Sequence, residues 1–205
     1  MYNPGSIATN SLICVKPILM KPTLQFVLIC LFSVSVSHAQ LLKPTTGSMS
    51  FSVNFEKIVQ SYRNNFHSIQ GDRIPSEKEK QVYKSSMTLP GTLQAFIYRF
   101  GSRQDTSASW QAIMYKGEDQ QAAIKAYKSI CRQVNRFRVN GVGVFKGEYE
   151  APDENLRFAG SSFKLEGGDK TFEHFYAEVD MVLNADEEWE VYLNLVRKKQ
   201  DEDMF

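Results

Sequence analysis

Cysteine and histidine are scarce in this sequence, with three of each among 205 residues. Cys14 and Cys30 fall in an N-terminal leader, so Cys131 is the one cysteine expected in the mature chain. A chain with a single cysteine forms no internal disulfide and lacks the cysteine clusters of structural zinc sites. We therefore expect no disulfide, no metal ion and no cofactor. We interpret Cys131 as a small buried hydrophobic residue, with a catalytic nucleophile and an intermolecular disulfide as the alternatives.

The motifs of known catalytic sites are also missing. The segment nearest to a G-x-S-x-G nucleophile elbow is 159–163, which lacks the second glycine and falls inside a predicted strand. Gly141 and Gly143 follow a predicted helix, whereas a phosphate-binding loop follows a strand and precedes a helix. His67 and His174 belong to no H-E-x-x-H motif. We predict no catalytic residue and favour a protein that is not an enzyme.

Neither sign of charge dominates, since 24 lysines and arginines face 23 aspartates and glutamates. A nucleic-acid-binding domain usually carries a clustered basic face, so we expect no nucleic-acid partner. Aromatic residues make up 12% of the chain and supply ample apolar surface for a core. The main body is therefore expected to fold.

Only one long apolar run is present, at 24–36, after Met20-Lys21-Pro22 and before Ser37-His38-Ala39. A basic start, a short apolar stretch and a small-x-small site are typical of a signal peptide. The run is shorter than the roughly 20 residues of a spanning helix. We predict export to the periplasm or the exterior, with cleavage after Ala39 and no stable membrane span in the mature form. A retained membrane anchor is the alternative interpretation.

These signals divide the chain into four parts. Residues 1–39 are an N-terminal extension and cleavable signal peptide, in which translation can start at Met20 instead of Met1. Residues 40–50 form a flexible leader, and 51–199 form a single α+β domain. Residues 200–205 form an acidic tail.

Two amphipathic helices are predicted. In the first, apolar residues recur at helical spacing from Phe51 to Ile69, and Gly71 is placed to end it. The second, over 118–137, is predicted from an apolar stripe of Ala123, Ile124, Tyr127, Ile130, Cys131, Val134 and Phe137. Acidic residues at its start and basic residues towards its end suit the helix dipole.

Between and after these helices the pattern changes to the two-residue alternation of strands. Strands are predicted at 82–89, 92–100, 109–115, 156–166, 172–183 and 188–198, and 140–149 is either a ragged strand or a glycine-rich connection. The charged segment 72–81 is predicted to be a solvated loop. We predict an α+β two-layer sandwich, a mainly antiparallel curved sheet with two helices packed on one face, in the order α-βββ-α-βββ.

The outward-facing positions of three predicted strands carry aromatic residues. Phe96, Tyr98, Tyr176 and Tyr192 would form a patch on the face opposite the core if their strands were neighbours. Such a patch is typical of a ligand or partner site, although cross-strand aromatics also stabilise sheets. Glu178 and Asp180 are two residues apart on one strand face, about 7 Å, which permits but does not select for a glycosidase pair.

Three hypotheses follow from these observations. The first is an exported, non-enzymatic protein that binds a partner or a small ligand through the aromatic sheet face. The second is an exported hydrolase with an acidic site at Glu178 and Asp180. The third is a structural envelope protein that forms a homodimer through the same face.

Overall fold

The structure is a computed structural model that describes residues 50–76, 80–100, 108–153, 155 and 157–198. Every described residue belongs to one compact unit. The predicted N-terminal extension, signal peptide and acidic tail, and all of the leader except Ser50, lie outside the described residues. Those assignments stay predictions.

The described residues form two α-helices and nine strands. Helix α1 is Phe51–Ser61 and helix α2 is Gln120–Val134, and short 3-10 turns lie at Tyr62–Asn64, His67–Ile69 and Lys170–Phe172. The strands are β1 Gln70–Ile74, β2 Lys80–Ser85, β3 Gln94–Phe100, β4 Ala108–Gly117, β5 Arg138–Val139, β6 Gly143–Gly147, β7 Phe158–Gly167, β8 Phe175–Leu183 and β9 Trp189–Arg197. They form one antiparallel sheet in the order β1-β2-β3-β4-β9-β8-β7-β6-β5.

The predicted order of six strands was wrong, because the described chain runs α-ββββ-α-βββββ. Strand β1 lies partly in the segment predicted to be a charged loop. It pairs only with β2, and its three central residues are exposed, so no alternation marks it. Strand β5 is two residues long, too short to produce a pattern, and β6 is the ragged strand of 140–149.

Helix α1 ends earlier than its apolar spacing predicts. The helix stops at Ser61, ten residues before Gly71, which instead lies in β1. Asn65 and Phe66 adopt left-handed φ angles of 56° and 62°, which an α-helix does not accommodate. Phe66 is nonetheless fully buried. Burial of this ring offsets the backbone cost, a tertiary effect that spacing alone does not reveal.

Helix α2 follows its prediction closely. Asp119 caps its start, accepting hydrogen bonds from the backbone N–H groups of Gln121 (2.8 Å) and Ala122 (3.1 Å). The predicted stripe is buried within the helix at Ala123, Ile124, Tyr127, Ile130, Cys131 and Val134. Phe137 lies beyond the helix, because Asn135 is extended and Arg136 has a φ of 63°. Its ring still packs against the core.

The central strands separate the sheet into a buried and a partly exposed face. Ile97, Trp110, Leu195 and Ala177 lie opposite one another on β3, β4, β9 and β8, and all four are fully buried. The residues that alternate with them are partly exposed. Because successive side chains of a strand point to opposite faces, we call these the inner and the outer face.

Both helices contact strands of this sheet. Helix α2 contacts β4, β8 and β9. Near α1, the Phe55 ring lies 5.6 Å from that of Phe145, and the Tyr62 ring lies 4.4 Å from that of Phe175. The described part of the chain is thus a mixed fold of two helices and a nine-stranded antiparallel sheet, and most of it is sheet.

Candidate functional site

The outer face carries two rows of directly opposed residues that cross five strands. The strands β3, β4, β9, β8 and β7 each contribute one residue to each row. The first row is Phe96, Gln111, Asn194, Glu178 and Ser162, and the second is Gln94, Ile113, Tyr192, Asp180 and Gly160. The pairing register therefore assembles amide, carboxylate and aromatic groups from distant parts of the sequence.

Three residues of these rows and the neighbouring Tyr98 form a continuous hydrogen-bonded chain, which we call the polar ladder. The Tyr98 hydroxyl donates to Gln111 Oε1 at 2.9 Å, and Gln111 Nε2 donates to Asn194 Oδ1 at 2.8 Å. Asn194 Nδ2 then donates to Asp180 Oδ2 at 2.8 Å. The ladder links β3, β4, β9 and β8 and fixes the orientation of both amides.

Asp180 ends the ladder in an unusual electrostatic setting. Burial, and secondarily the neighbouring carboxylate of Glu178, raise the pKa of Asp180 to about 6, against opposing effects of Asn194 and Lys198. Glu178 differs, because its carboxylate lies 2.8 Å from Lys198 Nζ. The two acids of the predicted pair therefore have unequal environments, with one paired to a cation and the other partly desolvated.

The lack of a side chain at Gly160 lets two neighbouring side chains, Phe158 and Asp180, approach the backbone of β7. A Cβ atom at this position would come within 3.1 Å of Asp180 Oδ1 and 3.0 Å of the Phe158 ring. Phe158 is 56% exposed at the start of β7, where it pairs with Val182 of β8 and β6 does not reach it. An exposed aromatic ring and a partly desolvated carboxylate thus lie on either side of a glycine.

The four aromatic residues predicted for the site all lie on the outer face, but in separate places. The rings of Phe96 and Tyr98 are 6.2 Å apart on β3. Two strands separate β3 from β8, so Tyr98 and Tyr176 are about 14 Å apart by strand spacing. Tyr192 lies on β9, opposite Asp180. The polar ladder and not a continuous aromatic patch occupies the middle of this face.

Lysine side chains cover part of the tyrosine rings. Lys80 Nζ lies 4.1 Å from the ring centre of Tyr98, and Lys198 Nζ and Lys164 Nζ lie 4.9 and 5.6 Å from that of Tyr176. These distances are typical of cation–π contacts. The lysines also offset the charge of the acidic pair on β8, so the face as a whole has no strong sign of charge.

Tyr192 belongs to a second polar group at the edge of the face. Its hydroxyl donates to Glu190, a carboxylate that also accepts from Asn184 at 3.1 Å and pairs with Lys116 at 3.0 Å. Burial opposes ionisation of Glu190, but the bonds from Tyr192, Lys116 and Asn184 outweigh it and lower its pKa. Burial and the same bond raise the pKa of Tyr192. The Tyr192 hydroxyl therefore uses its proton in a hydrogen bond within the protein.

The sequence interpretation missed Gln111, Asn194, Phe158 and Gly160. Both amide residues alternate with buried residues, and the period-two spacing that predicts an outward position for Asn194 predicts the same for Gln111. Their adjacency depends on the pairing of β4 with β9, which the sequence left open. The described residues include no group of three or more histidine, cysteine or acidic side chains able to hold a metal ion.

The structure also shows the surroundings of two side chains, Ser161 and Cys131, whose chemical types can act as nucleophiles. Ser161 is 4% exposed on the inner face and shares a 2.6 Å hydrogen bond with the Tyr127 hydroxyl. Cys131 is a buried free thiol, and burial raises its pKa to about 11. At neutral pH it stays protonated, which suits a small buried residue and not a nucleophile.

Comparison with known proteins adds no relative from which a function could be carried over. No protein-family model, no curated protein and no solved structure matches the chain. Neither described helix has the length and apolar character that crossing a bilayer requires.

Proposed function

We propose that the protein is an exported, non-enzymatic binding protein whose outer sheet face binds a hydroxyl-rich ligand such as a glycan. In this proposal both helices cover the inner face as one layer of a two-layer α+β sandwich, which leaves the outer face to the ligand. The contacts of α2 with β4, β8 and β9, and of Phe55 with Phe145, support that arrangement. The apolar run at 24–36 supports export.

The polar ladder carries the proposal. Each of the amides of Gln111 and Asn194 makes one bond as donor and one as acceptor within the ladder. A primary amide has two N–H donors and a carbonyl with two lone pairs, so each retains bonding capacity. The two oriented amides of the ladder can donate to and accept from a ligand, and the carboxylate at its end can accept. Sugar hydroxyls are both donors and acceptors, so they match these groups. Their preorganisation lowers the entropic cost of binding.

The ring of Phe158 supplies an apolar platform beside these polar groups. Its 56% exposure leaves surface available to a ligand, and the lack of a side chain at Gly160 lets the ring and the Asp180 carboxylate lie close together. A pyranose presents C–H groups on one face and hydroxyls at its rim. The face of the sugar would therefore lie on Phe158 while its hydroxyls bond to Asp180 and Asn194. Tyr98 and Tyr176 extend the same face on either side.

A glycan array followed by calorimetric titration of the oligosaccharides that bind tests this proposal. Asn194→Ala and Phe158→Ser are each expected to lower the affinity of the bound glycan at least tenfold. The double variant Tyr98→Ser with Tyr176→Ser is expected to fold and to lose binding as well. The matched control is Tyr149→Ser, which removes a 40% exposed aromatic residue outside the sheet and is expected to bind normally.

Two results would contradict this proposal. If no array glycan binds the cleaved protein, the ligand class is wrong. If the tyrosine double variant unfolds, those rings stabilise the sheet and do not form a binding surface. Native mass spectrometry of the same samples tests the homodimer alternative, which requires a dimer that the tyrosine double variant loses.

A second candidate function is acid-assisted hydrolysis at Asp180 and Glu178. The raised pKa of Asp180, about 6, favours this candidate, because a partly protonated carboxylic acid can donate a proton near neutral pH. Glu178, which pairs with Lys198 at 2.8 Å, would be the second carboxylate. Product release from glycan or ester substrates at pH 5, abolished in Asp180→Asn with Glu178→Gln, would favour hydrolysis over binding alone.

A further inference from the structure

A cavity of about 370 Å³ lies beside the C-terminal half of α2, away from the outer sheet face. It is lined by Lys128, Cys131, Arg132, Asn135 and Tyr149. Its volume falls within the range of small-molecule sites, which is about 300–1,000 Å³. Its lining combines two cations, one amide, one aromatic ring and one thiol.

The inner wall of this cavity is held in place by hydrogen bonds. The Tyr127 hydroxyl lies 2.6 Å from Ser161 Oγ and donates to the carbonyl oxygen of Glu150 at 3.1 Å. The backbone N–H of Glu150 donates to the same Ser161 Oγ at 2.9 Å. These bonds fix the segment that carries Tyr149 against α2 and β7. The rings of Tyr127 and Tyr149 are 5.9 Å apart, so the aromatic wall that Tyr149 forms packs on a second, fully buried ring.

Two cations, Lys128 and Arg132, lie at the mouth of the cavity. Lys128 and Arg132 are one helical turn apart, and within the described part of the chain neither has a salt bridge to an acidic side chain. Burial raises the pKa of the Tyr149 hydroxyl, and the positive charge of Arg132 partly offsets that rise. The helix dipole explains why cations favour this end of α2, but it accounts for neither the cavity nor the aromatic wall.

We propose that this cavity binds a small organic carboxylate that carries an apolar ring or chain. The apolar part would lie between Tyr149 and Cys131. The carboxylate would bond to the planar fork of Arg132, which suits two-point recognition, with Lys128 as a second cation. Asn135 would donate a further hydrogen bond. The site is separate from the polar ladder and independent of what binds there.

Three matched probes test the chemistry of the ligand. 2-Naphthoate has both the ring and the charge, 2-naphthamide has the ring without the charge, and acetate has the charge without the ring. Calorimetry on the cleaved protein is expected to show naphthoate binding at least tenfold more tightly than either of the others. Amide chemical shifts of residues 128–135 are expected to move with naphthoate and to place it at this cavity.

Variants of two exposed cations on α2 distinguish binding at this cavity from a general effect of surface charge. Arg132→Gln is expected to weaken naphthoate binding at least tenfold, whereas Lys125→Gln, exposed on the same helix, is expected to leave it unchanged. Tyr149→Ser should weaken binding, and the Tyr98→Ser variant of the sheet face should not. Equal binding of naphthamide, or equal loss in both cation variants, would overturn the carboxylate site while leaving the sheet-face proposal intact.

Discussion

The two faces of the central sheet are made by the same strands and differ in almost every physical respect. On β8, Val179 is fully buried on the inner face, while Val182, three residues later, is partly exposed on the outer face. The inner face is formed largely by apolar side chains, whereas amides, carboxylates and tyrosines cross the outer face in the polar ladder and its neighbours.

The inner face therefore stabilises the domain, whereas the outer face presents the groups that a ligand could contact. Apolar burial is non-directional and proportional to area, so the inner face tolerates many apolar combinations of suitable volume. Hydrogen bonds are directional, so the outer face depends on particular residues in a particular register. Substitutions on the two faces should therefore differ in both size and kind.

The largest expected difference comes from one residue type placed on both faces of β8. Val179→Ala is expected to lower the free energy of unfolding by about 2 kcal/mol, because it removes buried methyl groups and leaves a cavity. Val182→Ala is expected to lower it by less than about 0.5 kcal/mol, since its site is partly solvated. Urea unfolding of both variants measures the difference. Equal losses would mean that the outer face is also core.

The next effect is a gain in stability from Asp180→Asn. The folded pKa of about 6 exceeds the ordinary 3.8, so the native state binds this proton more tightly than the unfolded chain. The stability from this proton is present below pH 3.8 and is lost as the pH rises through about 6. At pH 7.5 the variant should therefore be more stable than the parent by on the order of 1 kcal/mol, after allowance for solvent screening.

That difference should disappear near pH 3.5, which urea unfolding at several pH values would check. Lys198 and Glu178 face Asp180 and are present in parent and variant alike, and the amide at 180 can still accept from Asn194. A gain that is constant with pH would show that the carboxylate is not destabilised by its surroundings.

The smallest effect concerns one bond of the polar ladder. Tyr98→Phe removes the hydroxyl that donates to Gln111 and is expected to cost roughly 0.5–1 kcal/mol of unfolding free energy. In a Gln111→Ala background the same change should cost almost nothing, because its acceptor is gone. A double-mutant cycle measures this coupling. A coupling of zero would mean that the ladder does not act as a unit.

Regular periodicity was enough to predict the strongest elements. The apolar stripe of α2, and the alternation in β8 and β9, correspond to buried residues in the structure. Prediction failed where local pattern and tertiary packing disagree. Helix α1 stops at Ser61, before the left-handed Asn65 and Phe66, and Phe66 still buries its ring, while the charged β1 forms by pairing with β2. Neither effect has a signal in a short window of sequence.

The candidate site was predictable only in its parts. Tyr98 and Asp180 could be placed on outward-facing positions of their strands from alternation alone. Whether they share a site depends on β9 returning to pair with β4, which brings Asn194 opposite Gln111. These two residues are 83 positions apart in the chain. Local patterns carry no information about a pairing over that separation.

By itself, the amino-acid sequence determined which segments have the apolar spacing of strands and which have that of helices, because side-chain periodicity is a property of neighbouring residues. It also determined the composition of each face of each strand. The tertiary structure alone decided which strands are neighbours, and therefore that Tyr98, Gln111, Asn194 and Asp180 form one chain of hydrogen bonds. The physical reason is that strand order results from burying the whole inner face at once, whereas periodicity is read one strand at a time.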